Sequence, residues 1–311
     1  MADTQYDVII AGAGPAGLTA AIYGARAGLK LLILERALPG GYVATTDLIE
    51  NYPGFGEGIA GIELAEKMKQ HALRFGTTIV NAEVSAVTKT DNTVSLKAGQ
   101  TEYTAYAVII ATGTTPKKLN IPGEDELRGR GVSYCATCDG PLFRGRKIAV
   151  IGGGNSAIQE GLFLLKFVEH ITFVEFMPQL TADKILQDQI KKDKRAAFFL
   201  YHIPIRINGK ERVESITIRH RETREEKTVE ASGVFIYVGL SPFSQCVRNT
   251  VELDKFGFVV TNENLETSVP GIYAAGDIRS DAIRQVVTAC GDGAAALIHA
   301  QHYIENIRGQ A

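Results

Sequence analysis

The sequence predicts an α/β protein built from two Rossmann-like dinucleotide-binding domains. A glycine-rich turn at residues 12–17 lies between an apolar strand and an amphipathic helix, and the same pattern returns at residues 152–157. After each turn, a second strand ends in a glutamate eighteen residues past the third motif position. A chain of 311 residues has room for two such domains.

The first unit is "YDVIIAGAGPAGLTAAIYGARAG", in which Tyr6 to Ala11 reads as a strand and the helix ends near Gly28. Gly12 makes the tight turn, Gly14 lets the backbone approach a pyrophosphate, and Gly17 lets the helix pack against the strand. The helix N-terminus is then placed to hold phosphates. The next strand, "KLLILE", ends at Glu35, whose carboxylate can accept hydrogen bonds from a ribose diol. In the second unit, Lys147 to Ile151 reads as the strand, and Gly152, Gly154 and Ala157 take the three motif positions. Its following strand, "ITFVE", ends at Glu175. Two dinucleotides are therefore expected. Two more strand-to-glycine segments, "AVIIATGTTP" (107–116) and "GIYAAGDIR" (271–279), have the form of flavin contacts: Asp277 can accept from a ribityl hydroxyl, and Gly276 lets the chain pass close by. Their distance from the first turn implies a discontinuous domain interrupted by the second.

Composition narrows the function classes. The chain is 45% hydrophobic and 22% charged with a net charge of −2, and no run of eighteen apolar residues is present to span a bilayer. A near-neutral balance without a basic stripe argues against nucleic acid as a partner, and "KKDKR" (191–195) reads as a solvated helix face. "MADTQYDVII" enters a strand without the parts of a secretory signal, so a cytoplasmic protein is expected. Of four cysteines, only Cys135 and Cys138 are close in sequence. In a reducing compartment a C-x-x-C is redox or metal chemistry, and a closed zinc site needs further ligands that no second C-x-x-C or C-x-x-H supplies. Redox is the stronger reading, since this spacing closes a small reducible ring. Asp139, next in the chain, can exchange the proton that thiol chemistry requires, or simply cap the following turn. Cys246 and Cys290 read as ordinary buried thiols, and His202 and His220 as strand residues with no acidic partner at a catalytic spacing. The run "RHRETREEK" (219–227) reads as a charged hairpin on a solvated edge.

With "GAGPAGLTAA", "ENYPGF", "ATGTTP", "CATCDG", "IGGGNSA", "AAGD" and "RQVVTACGDGAAA" in place, nearly the whole chain resembles the low-molecular-weight thioredoxin reductases. The resemblance implies two Rossmann-like domains of the pyridine nucleotide-disulfide oxidoreductase type in a homodimer. One would hold FAD and comprise 1–117 plus 246–311; the other, 118–245, would carry the nicotinamide site and the cysteines. It would place FAD against Gly12, Gly14, Pro15, Ala16, Gly17, Glu35, Gly41, Asn51, Val84, Gly113, Gly276, Asp277, Arg284, Gln285 and Val286. The nicotinamide nucleotide would lie against Gly152, Gly154, Asn155, Ser156, Ala157, Glu175 and Gly239. Tyr42 stands where the family often has Gln. The resemblance also puts Cys138 nearest the flavin, makes Asp139 the acid–base group, and implies that the inserted domain rotates on connections near "TTPKKL" and "GLSPF". The expected activity is thioredoxin-disulfide reduction. Rival readings are a reductase fed by another donor such as ferredoxin, one serving a peroxiredoxin system, and a flavin-containing sensor without turnover.

The electron donor is a separate question. NADPH-using members place a basic H-R-R-x-x-x-R pattern at the end of the second unit's strand, whereas this chain has Glu175, Phe176, Met177 and Thr181 there. A carboxylate suits a free 2′-hydroxyl and repels a phosphate. Two unit charges about 4 Å apart interact by about 4 kcal/mol at an effective dielectric near 20. After solvent and salt, NADH is expected to be favoured over NADPH by about one to three orders of magnitude. The segment also resembles the NADH-dependent flavoprotein subunit of alkyl hydroperoxide reductase in "EF-x-P-x-L/M-x-AD" and "CDGPLF", although that subunit carries an N-terminal thioredoxin-like domain not expected here. This widens the expected partners to small thioredoxin- or glutaredoxin-like proteins.

Overall fold

The computed structural model describes residues 5–46 and 48–309. Along the chain the first segment supplies β1 (Gln5–Ala11), α1 (Pro15–Arg26), β2 (Leu31–Glu35), α2 (Gly61–Arg74), β3 (Thr78–Asn81), β4 (Val84–Thr90), β5 (Thr93–Ala98), β6 (Thr101–Ile110) and β7 (Thr114–Pro116). The middle segment supplies β8 (Val132–Ser133), α3 (Ala136–Asp139), β9 (Lys147–Ile151), α4 (Asn155–Leu164), β10 (His170–Glu175), α5 (Lys184–Lys192), β11 (Ala196–Leu200), β12 (His202–Asn208), β13 (Ser215–His220), β14 (Glu226–Glu230) and β15 (Gly233–Ile236). The chain returns through β16 (Leu240–Pro242) and β17 (Ile272–Ala274) and ends in the long helix α6 (Val286–Gly309).

These segments form two compact units. The first joins the N-terminal stretch as far as Thr115 to everything from Ser241 onward; the second is Pro116–Leu240 and takes in Thr45 and Thr46. The chain passes between them twice, at β7 and β16, and these two strands pair with each other. Flanking backbone bonds extend that ladder on both sides, from Phe243 N–H to Gly113 O at 2.9 Å and from Lys117 N–H to Gly239 O at 2.9 Å.

In the first unit β3-β2-β1-β6 is a parallel sheet, and β6 serves two further partners on one side: antiparallel β5 along its first half and parallel β17 along its last three residues. Alternation along β1 explains why the strand is apolar from Val8 onward. Val8 and Ile10 face the cluster made with α1 and α6, while Ile9 and Ala11 face the cluster made with β4 and β5. Helices α1 and α6 approach closely because small residues line both. A Cβ on Gly293 would meet Ala16 O at 2.1 Å, and one on Gly24 would lie 2.9 Å from Leu297.

The second unit has the parallel order β11-β10-β9-β15-β8, with α4 and α5 packed on the cluster around Phe173 and Ile158. Its other face is covered by the antiparallel sheet β12-β13-β14 through Ile207, Ile216 and Ile218. Phe173 reaches α4 because Gly161 leaves room; a Cβ there would lie 2.4 Å from the ring. The charged run at 219–227 spans the β13–β14 turn, so the hairpin is present.

The close crossing of α1 and α6 generates a stability prediction. Gly293→Ala, which pushes a methyl into the α1 backbone, is expected to cost about 1–3 kcal/mol in denaturant unfolding. Gly291→Ala, two residues away with nothing within 4 Å of the added Cβ, is expected to be neutral or to gain up to about 1 kcal/mol from helix propensity. Equal effects of the two substitutions would contradict this packing.

Candidate functional site

The first glycine turn is built by sterics. Gly12 sits at φ +109°, and a Cβ there would come within 2.3 Å of Ala111 O; a Cβ on Gly17 would be 1.9 Å from Gly12 O. Gly14 is the N-cap of α1, Pro15 opens the helix, and no side chain caps the first turn. A second loop lies over it through the bond from Gly40 N–H to Ala13 O at 2.8 Å, and Gly41 faces Gly14 with its notional Cβ 3.1 Å from the Gly14 Cα. The result is a glycine-walled cradle at an uncapped helix N-terminus, a geometry able to receive a phosphate group. Glu35, at the end of β2, accepts from Ala13 N–H at 2.7 Å through one carboxylate oxygen and from Ala37 N–H at 2.9 Å through the other.

Other predicted residues gather in the same unit. Gly276 packs on α1, its notional Cβ 3.0 Å from the Ala16 Cβ, and its N–H donates to Asp292, which pairs with Arg279 at 2.7 Å. Burial raises the pKa of Asp277; Arg284 opposes the shift and Asp292 adds to it. Asn51 donates to Gln285 at 2.9 Å, just before Val286 opens α6. Gly113, at φ +65°, has open space where a Cβ would be, and the neighbouring Thr114 hydroxyl is buried without a hydrogen-bond partner among the described residues. Val84 lies in the core cluster with Ala11 and Leu34.

The second turn repeats the first. Gly152 is at φ +123° with its notional Cβ 2.3 Å from Tyr237 O and 3.3 Å from the Cβ of Ala157, and Gly154 caps α4 without any side-chain cap bond. Glu175 accepts from Met177 N–H at 2.8 Å, the same two-residue step that Glu35 makes to Ala37. Burial raises its pKa, and the backbone amides of Met177, Phe176 and Gly153 pull the other way. It is only 4% exposed. Asn155 closes the loop over α4: its amide donates to Asp183 at 3.0 Å, and its oxygen accepts from Asp183 N–H at 2.6 Å. Ser156 is exposed on the first turn of α4, and Gly239, at φ +106°, ends the chain path next to Lys117.

Cys135 and Cys138 form a disulfide bracketing the short α3, with Cys138 exposed and Cys135 half-buried. Cys138 N–H donates to the Cys135 sulfur at 3.2 Å, so the first cysteine caps the turn that presents the second. Asp139 is held from the side. Ser133, 4% exposed, donates its hydroxyl to Asp139 at 2.6 Å and accepts from Cys135 N–H at 3.1 Å. Behind the disulfide, Phe143 stands edge-on to Phe235 at 5.3 Å and fixes the segment to β15. In front, Tyr134 donates at 2.5 Å to Glu124, a carboxylate that also accepts from Leu119 N–H and Asn120 N–H at 2.8 and 2.6 Å.

Sequence reading missed Ser133 and Glu124. Ser133 had a signal, a hydroxyl two residues before a turn-forming cysteine; Glu124 had none, because its partners converge only in the folded chain. Arg221 was also missed as a neighbour of the Glu175 segment, and it donates to Phe176 O at 2.9 Å. Cys246 is buried as expected, and burial pushes its thiol up to about 11. Cys290 departs from expectation: it is only half-buried, and Tyr52 donates to its sulfur at 3.7 Å. His202 and His220 stack edge-on at 4.9 Å.

Comparison with known proteins agrees with this geometry. The sequence profile of the family described as pyridine nucleotide-disulphide oxidoreductase matches residues 6–293. The thioredoxin reductase of Bacillus subtilis (strain 168) is 45% identical over 306 residues, covering 97% of this chain and 96% of the relative. Among solved structures, the thioredoxin reductase of Lactococcus lactis (FR conformation) superposes with a TM-score of 0.95 at 39% identity, covering 97% of this chain and 99% of that one. The enzyme of T. acidophilum gives 0.93 at 39% identity, with 98% and 100% coverage.

The disulfide sets a direct expectation for thiol counts. Of the four cysteines, two are free and two are paired, so denatured protein is expected to react with Ellman's reagent at two sites as isolated and at four after reduction. Four reactive thiols before reduction would rule the pair out as the resting state.

Proposed function

Since the chain belongs to the pyridine nucleotide-disulphide oxidoreductases and, within them, to the low-molecular-weight thioredoxin reductases, we propose that it reduces a thioredoxin-like protein with NADH as the preferred donor. The observation that carries the reductase reading is the disulfide Cys135–Cys138 followed by an Asp139 already held by Ser133. The one that carries the donor reading is Glu175 at the end of β10, the strand after the second glycine turn.

The residues of the first unit fit FAD: the glycine cradle of Gly14 and Gly41, the uncapped N-terminus of α1, the Thr114 hydroxyl, unpartnered among the described residues, and Asp277 beside Gly276. When bound there, the flavin supplies the two-electron relay between a nicotinamide hydride and a disulfide. This chain's own residues do the rest. Gly152, Gly154 and the N-terminus of α4 receive the donor's pyrophosphate, with the loop above them fixed by Asn155. Two electrons and two protons convert Cys135–Cys138 into a dithiol, and Asp139 gives or takes the proton at the Cys138 sulfur. Ser133 keeps that carboxylate aimed: its hydroxyl donates to Asp139 at 2.6 Å, the shorter of its two acceptor distances beside Cys135 O at 3.2 Å, and its oxygen accepts from Cys135 N–H. A thiolate of the pair then attacks the partner's disulfide; the mixed disulfide is resolved by the second thiol, the partner leaves as a dithiol, and Cys135–Cys138 is restored.

Glu175 and Glu35 support the donor preference by their likeness. Each ends the strand after its glycine turn, and each accepts from the amide two residues on. The first serves a dinucleotide whose adenosine ribose has a free 2′-hydroxyl. A carboxylate in the same geometry in the second unit suits the same diol and opposes a 2′-phosphate. The segment's likeness to the NADH-dependent alkyl hydroperoxide reductase flavoprotein points the same way.

Anaerobic titration tests both parts. NADH is expected to bleach the bound flavin at far lower concentration than NADPH, and oxidised thioredoxin to restore the colour; equal bleaching by NADPH would sink the reading of Glu175. Glu175→Gln, which keeps the shape without the charge, is expected to raise the NADPH-to-NADH ratio of kcat/KM by about tenfold or more. Since burial holds the Glu175 pKa above the ordinary carboxylate value, its charge is lost earlier on acidification than that of a free glutamate. The wild-type preference for NADH is therefore expected to narrow as pH falls, and the slope to be absent in the Gln variant.

A further inference from the structure

We propose that Arg221, at the turn of the β13–β14 hairpin, is a positioning residue for the adenosine end of the nicotinamide nucleotide, holding the Phe176 ring as the platform on which adenine stacks. The proposal rests on the reading of the second glycine turn as the nucleotide site.

Arg221 lies 45 residues from Phe176 in sequence, yet three contacts bring it there. Its guanidinium donates to Phe176 O at 2.9 Å, stands 5.3 Å from the centre of the Phe176 ring and 5.0 Å from that of Tyr201. The backbone ties the same residues together. Arg221 N–H donates to Tyr201 O and Tyr201 N–H to Met177 O, both at 2.9 Å. Tyr201 accepts a left-handed backbone at φ +61° to make both bonds, a conformation that costs a non-glycine residue about 1–2 kcal/mol. Among the neighbouring charges, Glu226 pairs at 3.9 Å with Arg219, on the other side of His220.

The chemistry of a nucleotide makes this arrangement useful. In adenosine the 2′-hydroxyl and the base sit on adjacent ring carbons, so a group that touches the base comes from next to the group that accepts from the diol. Phe176 follows Glu175 directly and is 54% exposed, although it is a large apolar ring. Arg221 lies over that ring, and a planar cation there fixes its orientation while leaving apolar surface for an adenine. A lysine in place of Arg221 would keep the charge over the ring but lose the planar guanidinium and its fork of donors.

The test is calorimetric binding of ADP-ribose and 2′-phospho-ADP-ribose to the FAD-loaded protein, with reduced nicotinamide mononucleotide as a donor that lacks adenosine. Arg221→Ala is expected to weaken ADP-ribose by about tenfold, in the range of a lost cation–π and stacking contact. Arg221→Lys should restore part of the loss and Phe176→Tyr should bind as wild type. The double variant Arg221→Ala, Phe176→Ala should bind no more weakly than Phe176→Ala, because the two residues act through one platform. Flavin reduction by the mononucleotide should be unchanged throughout. Unaltered ADP-ribose affinity in Arg221→Ala would overturn the proposal. So would a loss confined to the 2′-phosphorylated probe, which would make Arg221 a phosphate ligand instead, or a parallel loss with the mononucleotide, which would trace the effect to the domain's fold. Failure of the wild-type protein to bind ADP-ribose would instead remove the second-turn nucleotide reading on which the proposal stands.

Discussion

A backbone amide in a glycine turn, accepted by the carboxylate at the end of the neighbouring strand, is the contact on which both units depend. In the first unit Ala13 N–H reaches Glu35 at 2.7 Å; in the second, the Gly153 amide is among those directed at Glu175. A hydrogen bond to a charged group is worth about 1.5–3 kcal/mol, and here it also fixes geometry. It joins the end of one strand to the turn leaving its parallel neighbour, and so sets the helix N-terminus and the strand-end carboxylate in one frame. Neither turn closes without glycine at its first position, where φ exceeds +100° and a Cβ would strike a carbonyl of the next strand.

The repeated frame is put to two uses by what surrounds it. Around the first turn the additions are a covering loop at Gly40 and Gly41 and the return segment with Gly276, Asp277 and Arg284, which arrive from far along the chain. Around the second they are the loop pinned by Asn155 and the appended β12-β13-β14 sheet. The disulfide belongs to this second frame: α3 follows β8, at the edge of its sheet, and Phe143 seals the segment against β15. An exposed Cys138 is thereby followed in the chain by a carboxylate that a buried serine holds by a hydrogen bond.

Much of this was legible in advance, for reasons that can be named. Strands β1 and β9 are apolar because both faces are covered, and their ends were marked by glycines that no other residue can replace at those angles. Glu35 and Glu175 were found by counting, since the helix between turn and strand has nearly constant length. The C-x-x-C was local, and so was Asp139. Less legible were residues whose partners lie elsewhere: Glu124 gathers two amides and a phenol that only the fold brings to it, and the half-buried Cys290 accepts from Tyr52, 238 residues away.

Sequence alone determined the two glycine turns, the cysteine pair and the carboxylate that ends the strand after each turn, because each is a local pattern whose spacing is fixed by one strand, one turn and one helix. The tertiary structure decided what stands around Glu175. Read along the chain, that segment holds no basic residue; in the folded protein the β13–β14 turn brings Arg221 onto Phe176. The physical reason is register. Once β12 pairs with β13 so that His202 faces His220, the residue after His220 has no other place to go than beside Tyr201 and the carbonyl of Phe176.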